Sequence, residues 1–254
     1  MSFSNKVVIV TGASSGIGAV TAVQFAKEGA KVVIVGRKES KLKNVAEQCA
    51  RSGNKPLVVK ADVSNDDEVK RIVTETINEF GQIDVLINNA GMAVYGNILS
   101  GNILEAYDKT LAVNTRAIVL LTSLVVPHLV KTKGNIVNIS SIAGKKTIMP
   151  GFIPYAVSKA ALDHFTRGAA LELAPLGVRV NTMSPGPVRT DFMANNPGKA
   201  DISWDIMGAS LPLKRVSESE EIAEIILYLA SEKAKGVTGS DFISDNGGLL
   251  RFTV

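Results

Sequence analysis

Between residues 6 and 18 the sequence reads Lys6-Val7-Val8-Ile9-Val10-Thr11-Gly12-Ala13-Ser14-Ser15-Gly16-Ile17-Gly18, and this stretch decides the fold. Its first five residues form an apolar run without polar alternation, which is typical of a strand covered on both faces. A glycine-rich turn follows, and then a helical pattern that ends at Gly29. Glycines permit a tight turn and let backbone N–H groups approach a pyrophosphate at the positive end of the helix.

Such a turn can also be purely structural, but its position after the first strand favours phosphate binding. Three residues separate Gly12 from Gly16, whereas the common dinucleotide pattern has one residue between its first two glycines. No Lys-Ser or Lys-Thr pair follows Gly18, so the turn is not a nucleoside-triphosphate loop.

The rest of the chain continues the alternation of apolar runs and helical patterns. Further strands are predicted at residues 31–35, 57–60, 84–87, 135–139, 178–183 and 240–244. Strands separated by helices pair in parallel, because each crossover carries the chain back across the sheet. No linker or repeat divides the sequence, which predicts one α/β domain over residues 1–254.

Composition excludes several other classes of protein. Of the 254 residues, 46% are hydrophobic and 20% are charged, which suits a large buried core. The net charge is only +4 and no block of like charges occurs, so neither a nucleic-acid nor a membrane patch is indicated. Cys49 is the single cysteine, and His128 and His164 lie far apart, so no disulfide or metal site is expected.

No targeting or membrane segment is indicated either. Residues 1–6 contain no apolar signal region. The longest apolar run, residues 117–130, is interrupted by polar residues and proline and is too short to span a bilayer. We therefore expect a cytoplasmic protein.

Four motifs in order resemble the short-chain dehydrogenase/reductase family over essentially the whole chain. They are Thr11-Gly-x-x-x-Gly-x-Gly18, Asn88-Asn89-Ala90-Gly91, Tyr155-x-x-x-Lys159 and Pro185-Gly186. The match is to the compact branch of about 250 residues. The resemblance implies a Rossmann-type, doubly wound parallel sheet of about seven strands with helices on both faces. It also implies a nicotinamide-dependent oxidoreductase, assembled as a homotetramer or a dimer, that acts on a small carbonyl compound or alcohol.

The second strand indicates which nicotinamide is used. It ends in Val35-Gly36-Arg37-Lys38, with glycine where NAD-preferring relatives usually carry aspartate. A 2′-phosphate beside Arg37 gains charge-assisted hydrogen bonds that a hydroxyl cannot provide, so NADP(H) is expected over NAD(H). Ser15 carries no charge, so this preference depends mainly on Arg37. Alternatively, Arg37 and Lys38 belong only to a solvated loop.

The resemblance assigns the remaining cofactor contacts. The turn provides Gly12, Ser14, Ser15, Gly16, Ile17 and Gly18. Asp62 and Val63 should contact the adenine ring. The segment from Asn88 to Gly91 should line the adenosine side and stabilise the central strand, and its expected cofactor contacts are Asn89, Ala90 and Gly91. The two asparagines could instead be turn residues only. The carboxamide is assigned to Pro185, Gly186, Val188 and Thr190, and the nicotinamide ribose to Lys159 beside Tyr155.

The catalytic residues are predicted from the Tyr155–Lys159 pair. Four residues apart on a helix, the two side chains share one face. A tyrosine has an ordinary pKa of about 10, so proton transfer near neutral pH requires that its phenolate be stabilised. A neighbouring ammonium should provide this stabilisation and lower the tyrosine pKa. Ser141, rather than the adjacent Ser140, should hydrogen-bond the substrate oxygen. Asn114 resembles the fourth catalytic member, linking Lys159 to solvent through water, although it could be an interhelical hydrogen-bonding residue.

The substrate is expected to be apolar, steroid-like or lipid-like. The pocket is predicted from Met92, Val94, Tyr95, Met149, Phe152, Phe192, Met193, Trp204 and Met207. Residues 187–213 are interpreted as a substrate lid, with a packed surface loop as the alternative. The interval from Ser141 to Tyr155 is fourteen residues where thirteen is usual in the family, so the intervening loop should border the substrate.

Two other functions remain open. One is a 3-oxoacyl-[acyl-carrier-protein] reductase, for which basic docking residues are missing at Thr132 and Leu176, although Lys131 and Lys133 are close. The other is a non-catalytic NADP-binding regulator, against which the complete set of four catalytic residues argues.

Overall fold

A parallel seven-stranded sheet forms the centre of the protein. The computed structural model describes residues 3–192 and 203–250. The strands are β1 Val7–Thr11, β2 Lys31–Gly36, β3 Leu57–Lys60, β4 Val85–Asn88, β5 Asn135–Ile139, β6 Arg179–Pro185 and β7 Asp241–Ser244. Their spatial order is β3-β2-β1-β4-β5-β6-β7. The order reverses between β1 and β4, and ligands of such sheets bind beside the carboxyl ends of the strands at this point.

Helices cover both faces of the sheet. They are α1 Gly16–Lys27, α2 Glu39–Ser52, α3 Asp66–Phe80, α4 Ile103–Leu111, α5 Ala117–Thr132, α6 Ile153–Leu173, α7 Trp204–Ala209 and α8 Ser219–Ala230. A π-helical segment, Ala112–Arg116, joins α4 to α5. The expected α/β fold of Rossmann type is confirmed.

The side chains of β1 alternate between two apolar cores. Val8 and Val10 pack with α1, α2 and α8, and Val7 and Ile9 pack with α3, α5 and α6. All five residues of β1 are buried, as the unbroken apolar run predicts. Cys49 lies in the first core, where burial raises the pKa of its thiol to about 11, as is usual for an inert structural cysteine.

Within the described ranges, one helical stretch is long and apolar enough to cross a membrane by length and composition alone. It runs over Ile103–Thr132 and contains an 18-residue window with a mean hydropathy of 1.5. The stretch is longer than the predicted apolar run because the π segment makes α4 and α5 continuous. The stretch buries Leu121, Val125 and Leu129 in the core beside the sheet.

The interpretation of residues 187–213 as an irregular lid is modified by the structure. Trp204–Ala209 forms the short helix α7, and Val188 bridges to Ser217 in parallel. Residues 193–202, including Met193, lie outside the described residues.

Candidate active site

A cavity of about 920 Å³ opens at the carboxyl ends of the central strands. It runs from the glycine turn after β1, past Ser141 and Tyr155, to apolar side chains near α7. Most residues predicted for the cofactor line it: Gly12, Ser14, Ser15, Gly16, Ile17, Arg37, Lys38, Asp62, Val63, Asn89, Ala90, Gly91, Tyr155, Lys159, Pro185, Gly186, Val188 and Thr190.

The glycine turn is shaped by close backbone approaches. Gly12 and Gly16 have φ angles of +65° and +55°, which side-chain-bearing residues rarely adopt. A Cβ on Gly12 would lie 2.8 Å from the Ala90 Cα. The turn therefore presents bare backbone at the amino end of α1, a cradle that suits a pyrophosphate.

Gly18, which the resemblance assigns to the cofactor, is not among the residues that line the cavity, so its contact with the cofactor stays a prediction. It is buried under the turn, where a Cβ would lie 2.3 Å from the Asn89 Nδ2 and 2.5 Å from the Gly12 oxygen. Its missing side chain lets α1 pack against the turn and Asn89.

The asparagines after β4 hold the turn and the sheet together. The Asn89 amide donates hydrogen bonds to the carbonyls of Thr11 (2.9 Å) and Gly12 (3.2 Å), which fixes the turn. The Asn88 side chain points away from the cavity and donates to the Asn138 Oδ1 at 2.8 Å, so it links β4 to β5. Asn89 thus combines a structural role with a place in the cavity wall.

Three cations line the end of the cavity beyond β2, namely Arg37, Lys38 and Lys41. The Arg37 Nη1 lies 3.6 Å from the Asp62 Oδ2. Burial would raise the pKa of Asp62, but hydrogen bonds from Ser64 and the Arg37 guanidinium outweigh burial and lower it. Lys41, which the sequence reasoning missed, lies 2.7 Å from the Asp191 carboxylate. This end is suited to an anionic group.

Tyr155 and Lys159 lie side by side on α6, as their spacing predicts. Lys159 Nζ donates to the Ile139 carbonyl at 2.7 Å and lies 5.5 Å from the centroid of the Tyr155 ring. Tyr155 also has a side-chain hydrogen bond with Ser141. The three side chains therefore meet at the carboxyl end of β5.

The expected lowering of the Tyr155 pKa is wrong for this structure. Burial raises the pKa of Tyr155 to about 12, and the hydrogen bond with Ser141 offsets only part of this effect. Burial also lowers the pKa of Lys159 to about 8, despite an opposing effect of the nearby Asp163 carboxylate. In both cases desolvation penalises the charged form.

Asn114 lies behind the cavity wall, in the π segment. Its Oδ1 accepts from the Met92 N–H at 2.8 Å, and its Nδ2 donates to the Met92 carbonyl (2.8 Å) and the Ser158 Oγ (3.0 Å). A Cβ on Gly91 would lie 3.5 Å from the Asn114 Oδ1 and 3.6 Å from the Lys159 Nζ, so both atoms face the same point. Asn114 therefore forms hydrogen bonds between separate elements, which was the alternative to a catalytic role. Its link to Lys159 through water stays a prediction.

The far end of the cavity is mostly apolar. Of the predicted pocket residues, Met92, Met149, Phe152, Phe192, Trp204 and Met207 line it. The Tyr155 ring lies 4.7 Å from that of Phe152 and 5.7 Å from that of Phe192, measured between centroids. These rings surround the phenol with apolar surface.

Tyr95 and Val94 were predicted for the substrate pocket, and their contact with a substrate stays a prediction. Neither lines the cavity. The Tyr95 ring packs behind Phe152, with 5.5 Å between centroids, so Phe152 separates it from the cavity. The Val94 N–H donates to the Thr110 Oγ1 at 3.3 Å, which directs this backbone toward α4.

Sequence reasoning also missed several wall residues. They lie on the loop after β5 and in the carboxyl-terminal part of the chain: Lys146, Thr147, Ile148, Ser210, Leu211 and Leu249. The long interval between Ser141 and Tyr155 marked the first group as a loop near the substrate. No local pattern marked Leu211 or Leu249, because their position depends on distant packing.

The donor set suits a dinucleotide rather than a metal. In the part of the chain that the structure describes, no group of three His, Cys, Asp or Glu side chains is placed to hold a metal ion. A bare-backbone turn, a cationic end and a buried Tyr–Lys pair share one cavity. These features fit the phosphates and ribose of a nicotinamide cofactor.

Comparison with known proteins identifies the family. A family model described as enoyl-(acyl carrier protein) reductase matches residues 12–248. An uncharacterized oxidoreductase of Thermotoga maritima is 40% identical over 252 residues, spanning 97% of this chain and 98% of that protein. A 3-oxoacyl-[acyl-carrier-protein] reductase of the same organism is 35% identical over 251 residues, spanning 98% of this chain and all of that protein (100%).

A solved structure agrees with these relatives. It is a short-chain dehydrogenase/reductase of unknown function from Caenorhabditis elegans, crystallised with cofactor. It superposes with a TM-score of 0.92 at 40% identity, covering 98% of this chain and 97% of that one. The chain therefore belongs to the short-chain dehydrogenase/reductase family of oxidoreductases, which use NAD(P) and act on CH–OH and C=O groups.

Proposed function

We propose that this protein is an NADP(H)-dependent oxidoreductase that interconverts an apolar ketone or aldehyde and its alcohol, with Tyr155 as general acid and base. The observation that carries the proposal is the continuity of the cavity. It joins a phosphate-binding turn and three cations to a Ser–Tyr–Lys group and an apolar end.

In the proposed reduction, the Tyr155 hydroxyl donates its proton to the carbonyl oxygen of the substrate. Ser141 hydrogen-bonds the same oxygen and stabilises the charge that develops there. When bound, the nicotinamide supplies the hydride. Lys159 holds the ribose hydroxyls and places a positive charge near the phenol, and the apolar rings of Phe152 and Phe192 exclude water.

The preference for NADP(H) is supported by the cations at the β2 end. Arg37, Lys38 and Lys41 can neutralise a 2′-phosphate, whereas only Asp62 among the described acidic residues lines the cavity. Gly36 at the end of β2 also lines the cavity, so no carboxylate stands at this strand end to repel a 2′-phosphate. Both features favour the phosphorylated cofactor.

The preference is tested with Arg37→Asp and the matched variant Lys43→Asp. Both make the same change in charge, but Lys43 is exposed and does not line the cavity. We expect Arg37→Asp to weaken NADPH binding by about a hundredfold, since it removes a charge-assisted contact and adds repulsion. NADH binding should change little, and Lys43→Asp should leave both affinities intact. An unchanged NADPH preference in Arg37→Asp would refute the assignment.

The substrate class is tested with a panel of carbonyl compounds while NADPH oxidation is followed spectroscopically. We expect turnover of apolar ketones or aldehydes of steroid-like or lipid-like shape. The panel includes an acyl-carrier-protein thioester, because the matching family model and the Thermotoga maritima reductase make a 3-oxoacyl-[acyl-carrier-protein] reductase the second candidate. Faster turnover of the thioester would favour that candidate. Absence of hydride transfer with every substrate would favour a non-catalytic regulator.

The proposal also places the enzyme in the cytoplasm as a homotetramer or a dimer. Enzymes of this family commonly oligomerise, which supports the assembly. Light scattering on the purified protein tests it, and a monomer at micromolar concentration would contradict it.

A further inference from the structure

A cluster of charged and polar side chains lies behind Lys159, outside the reacting groups. Lys145, on the loop after β5, is its centre. The Lys145 Nζ lies 2.7 Å from the Asp163 Oδ2, 2.8 Å from the Asp241 Oδ2 and 2.7 Å from the Ser184 Oγ. Ser184 in turn donates to the Asp241 Oδ1 at 2.6 Å. Four parts of the chain, the loop, α6, β6 and β7, therefore meet at one ammonium.

The Asp163 side of the cluster is shielded from water, whereas the Asp241 side chain is 27% exposed. The side chain of Asp163 is only 8% exposed and that of Lys145 is 20% exposed. The Asp163 Oδ1 is buried and accepts no hydrogen bond from the described residues. A carboxylate in such a position is costly to bury without a paired cation, and its field is weakly screened.

Asp163 stands one helical turn after Lys159, so the two side chains share a face of α6. The turn after Ser141 is pressed against this face. A Cβ on Gly144 would lie 2.9 Å from both the Asp163 Oδ2 and the Lys159 carbonyl carbon. The Lys145 Nζ also lies 3.5 Å from the Ser141 carbonyl oxygen. The cluster therefore connects the loop after β5, here called the Ser141 loop, to α6.

Two charges act on Lys159 in opposite directions. Burial lowers the pKa of its ammonium, the Asp163 carboxylate raises it and the Lys145 ammonium lowers it. Tyr155 faces Lys159 on the same helix, and uncharged Asn114 faces it from the π segment. The charged groups on other elements around α6 include the exposed α4 residues Glu105, Asp108 and Lys109, the Arg116–Asp66 pair, Arg179 on β6 and Lys146 on the cavity wall.

We propose that Asp163 is a positioning residue that keeps the Lys159 side chain charged in its buried place. Lys145, held by Ser184 and Asp241, neutralises Asp163 in part and links the Ser141 loop to Lys159. The inference rests on the proposed function for the task of Lys159, which is to hold the cofactor ribose and polarise Tyr155. The cluster thus sets the highest pH at which Lys159 is still charged and can hold the ribose and polarise Tyr155.

The direct test is a pH titration of the lysine ε-carbons by isotope-edited NMR, with the Lys159 signal assigned by Lys159→Arg. We expect Asp163→Asn to lower the Lys159 midpoint by about one pH unit, because the carboxylate that favours the ammonium is lost. Lys145→Met should raise the midpoint, because a repelling cation is lost and Asp163 is no longer neutralised. Shifts of opposite sign are not expected from a merely structural cluster.

Asp241→Asn is the matched control. It removes an ion pair from Lys145 but leaves the Lys145–Asp163 contact and does not act directly on Lys159. An Asp241→Asn shift as large as that of Asp163→Asn, or shifts of the same sign in all variants, would overturn the proposal. If Asp163→Asn does not fold, the upward shift in Lys145→Met decides the question, and its absence counts against the proposal.

A second readout uses the cofactor. In Asp163→Asn the dissociation constant for NADPH should begin to rise at a lower pH than in the wild type, and by about tenfold where Lys159 has lost its proton. If the wild type binds no NADPH, the proposed function fails, whereas the NMR titration still decides whether Asp163 sets the charge of Lys159.

Discussion

At the scale of single residues, burial shifts the pKa values of Tyr155 and Lys159 in opposite directions. Desolvation raises the pKa of Tyr155 to about 12 and lowers that of Lys159 to about 8. Near neutral pH the tyrosine therefore holds its proton, while most of the lysine is still charged. A protonated phenol beside an ammonium is the state that a carbonyl reduction needs at its start.

Replacing Tyr155 by phenylalanine should abolish turnover and leave NADPH binding measurable. The change removes the proton donor but keeps the ring that packs against Phe152 and Phe192. Steady-state assays and fluorescence titration with NADPH measure the two properties. Retained activity would rule out the proposed role of Tyr155.

Gly18 and Gly168 offer a paired test of packing around the turn. A Cβ at position 18 would collide with Asn89 and Gly12, so Gly18→Ala should cost about 2 kcal/mol of unfolding free energy and weaken cofactor binding. No atom lies within 4 Å of a Cβ at position 168, which is exposed on α6, so Gly168→Ala should gain about 0.5–1 kcal/mol. Urea unfolding measures both. Equal stability of the two variants would contradict this explanation of Gly18.

At the scale of elements, α8 begins with a capping box. The Glu221 side chain accepts from the Glu218 N–H at 2.8 Å and forms two hydrogen bonds with Arg215, at 2.6 and 2.7 Å. The hydrogen bonds from Arg215 and then from the Glu218 backbone lower the pKa of Glu221 from 4.5 to about 2. The side chain is 37% exposed, so solvent screens part of the ion pair.

Glu221→Gln should therefore cost at most about 1 kcal/mol near neutral pH, because it removes the partly screened charge contact with Arg215, while the glutamine oxygen can still accept from the Glu218 N–H. Because the folded pKa is depressed, the contribution of Glu221 is fully present above pH 4.5 and is lost as the pH falls toward 2. The stability difference between wild type and variant should shrink over that window. Urea unfolding of wild type and variant at a series of pH values measures this difference, and a difference that stays constant down to pH 2 would contradict the assignment.

At the scale of the whole molecule, the cavity draws its walls from both halves of the chain. Residues between Gly12 and Leu249 line it, so a bound cofactor contacts groups that unfolding separates. Ligands that bind only the folded state stabilise it by mass action.

Saturating NADPH should raise the thermal midpoint accordingly. At about one hundred times its dissociation constant, the gain is about 2.7 kcal/mol, or on the order of 5–10 °C for a chain of this size. NADH at the same concentration should give a smaller rise. Differential scanning fluorimetry measures both, and an equal rise with NADH would contradict the assignment of Arg37, Lys38 and Lys41 to a 2′-phosphate.

Much of this organisation could be predicted from local sequence. The apolar run of β1 and the glycine turn predict a strand, a turn and a helix within eighteen residues, because backbone preferences and side-chain periodicity act over short distances. The shared face of Tyr155 and Lys159 follows from helical geometry alone. The order of the motifs along the chain then indicated the family and the fold.

Only the tertiary structure decided which side chains contact one another and which residues line the cavity. Gly18 and Tyr95 were predicted to contact ligands but lie behind the wall, because Asn89 and Phe152 stand in front of them. Lys41 meets Asp191 across 150 positions, and Lys145 meets Asp241 from β7. Such contacts depend on strand order and packing between distant segments, which local periodicity does not encode. The sequence by itself thus determined the elements and the Tyr155–Lys159 pair, whereas packing decided the charges that surround them.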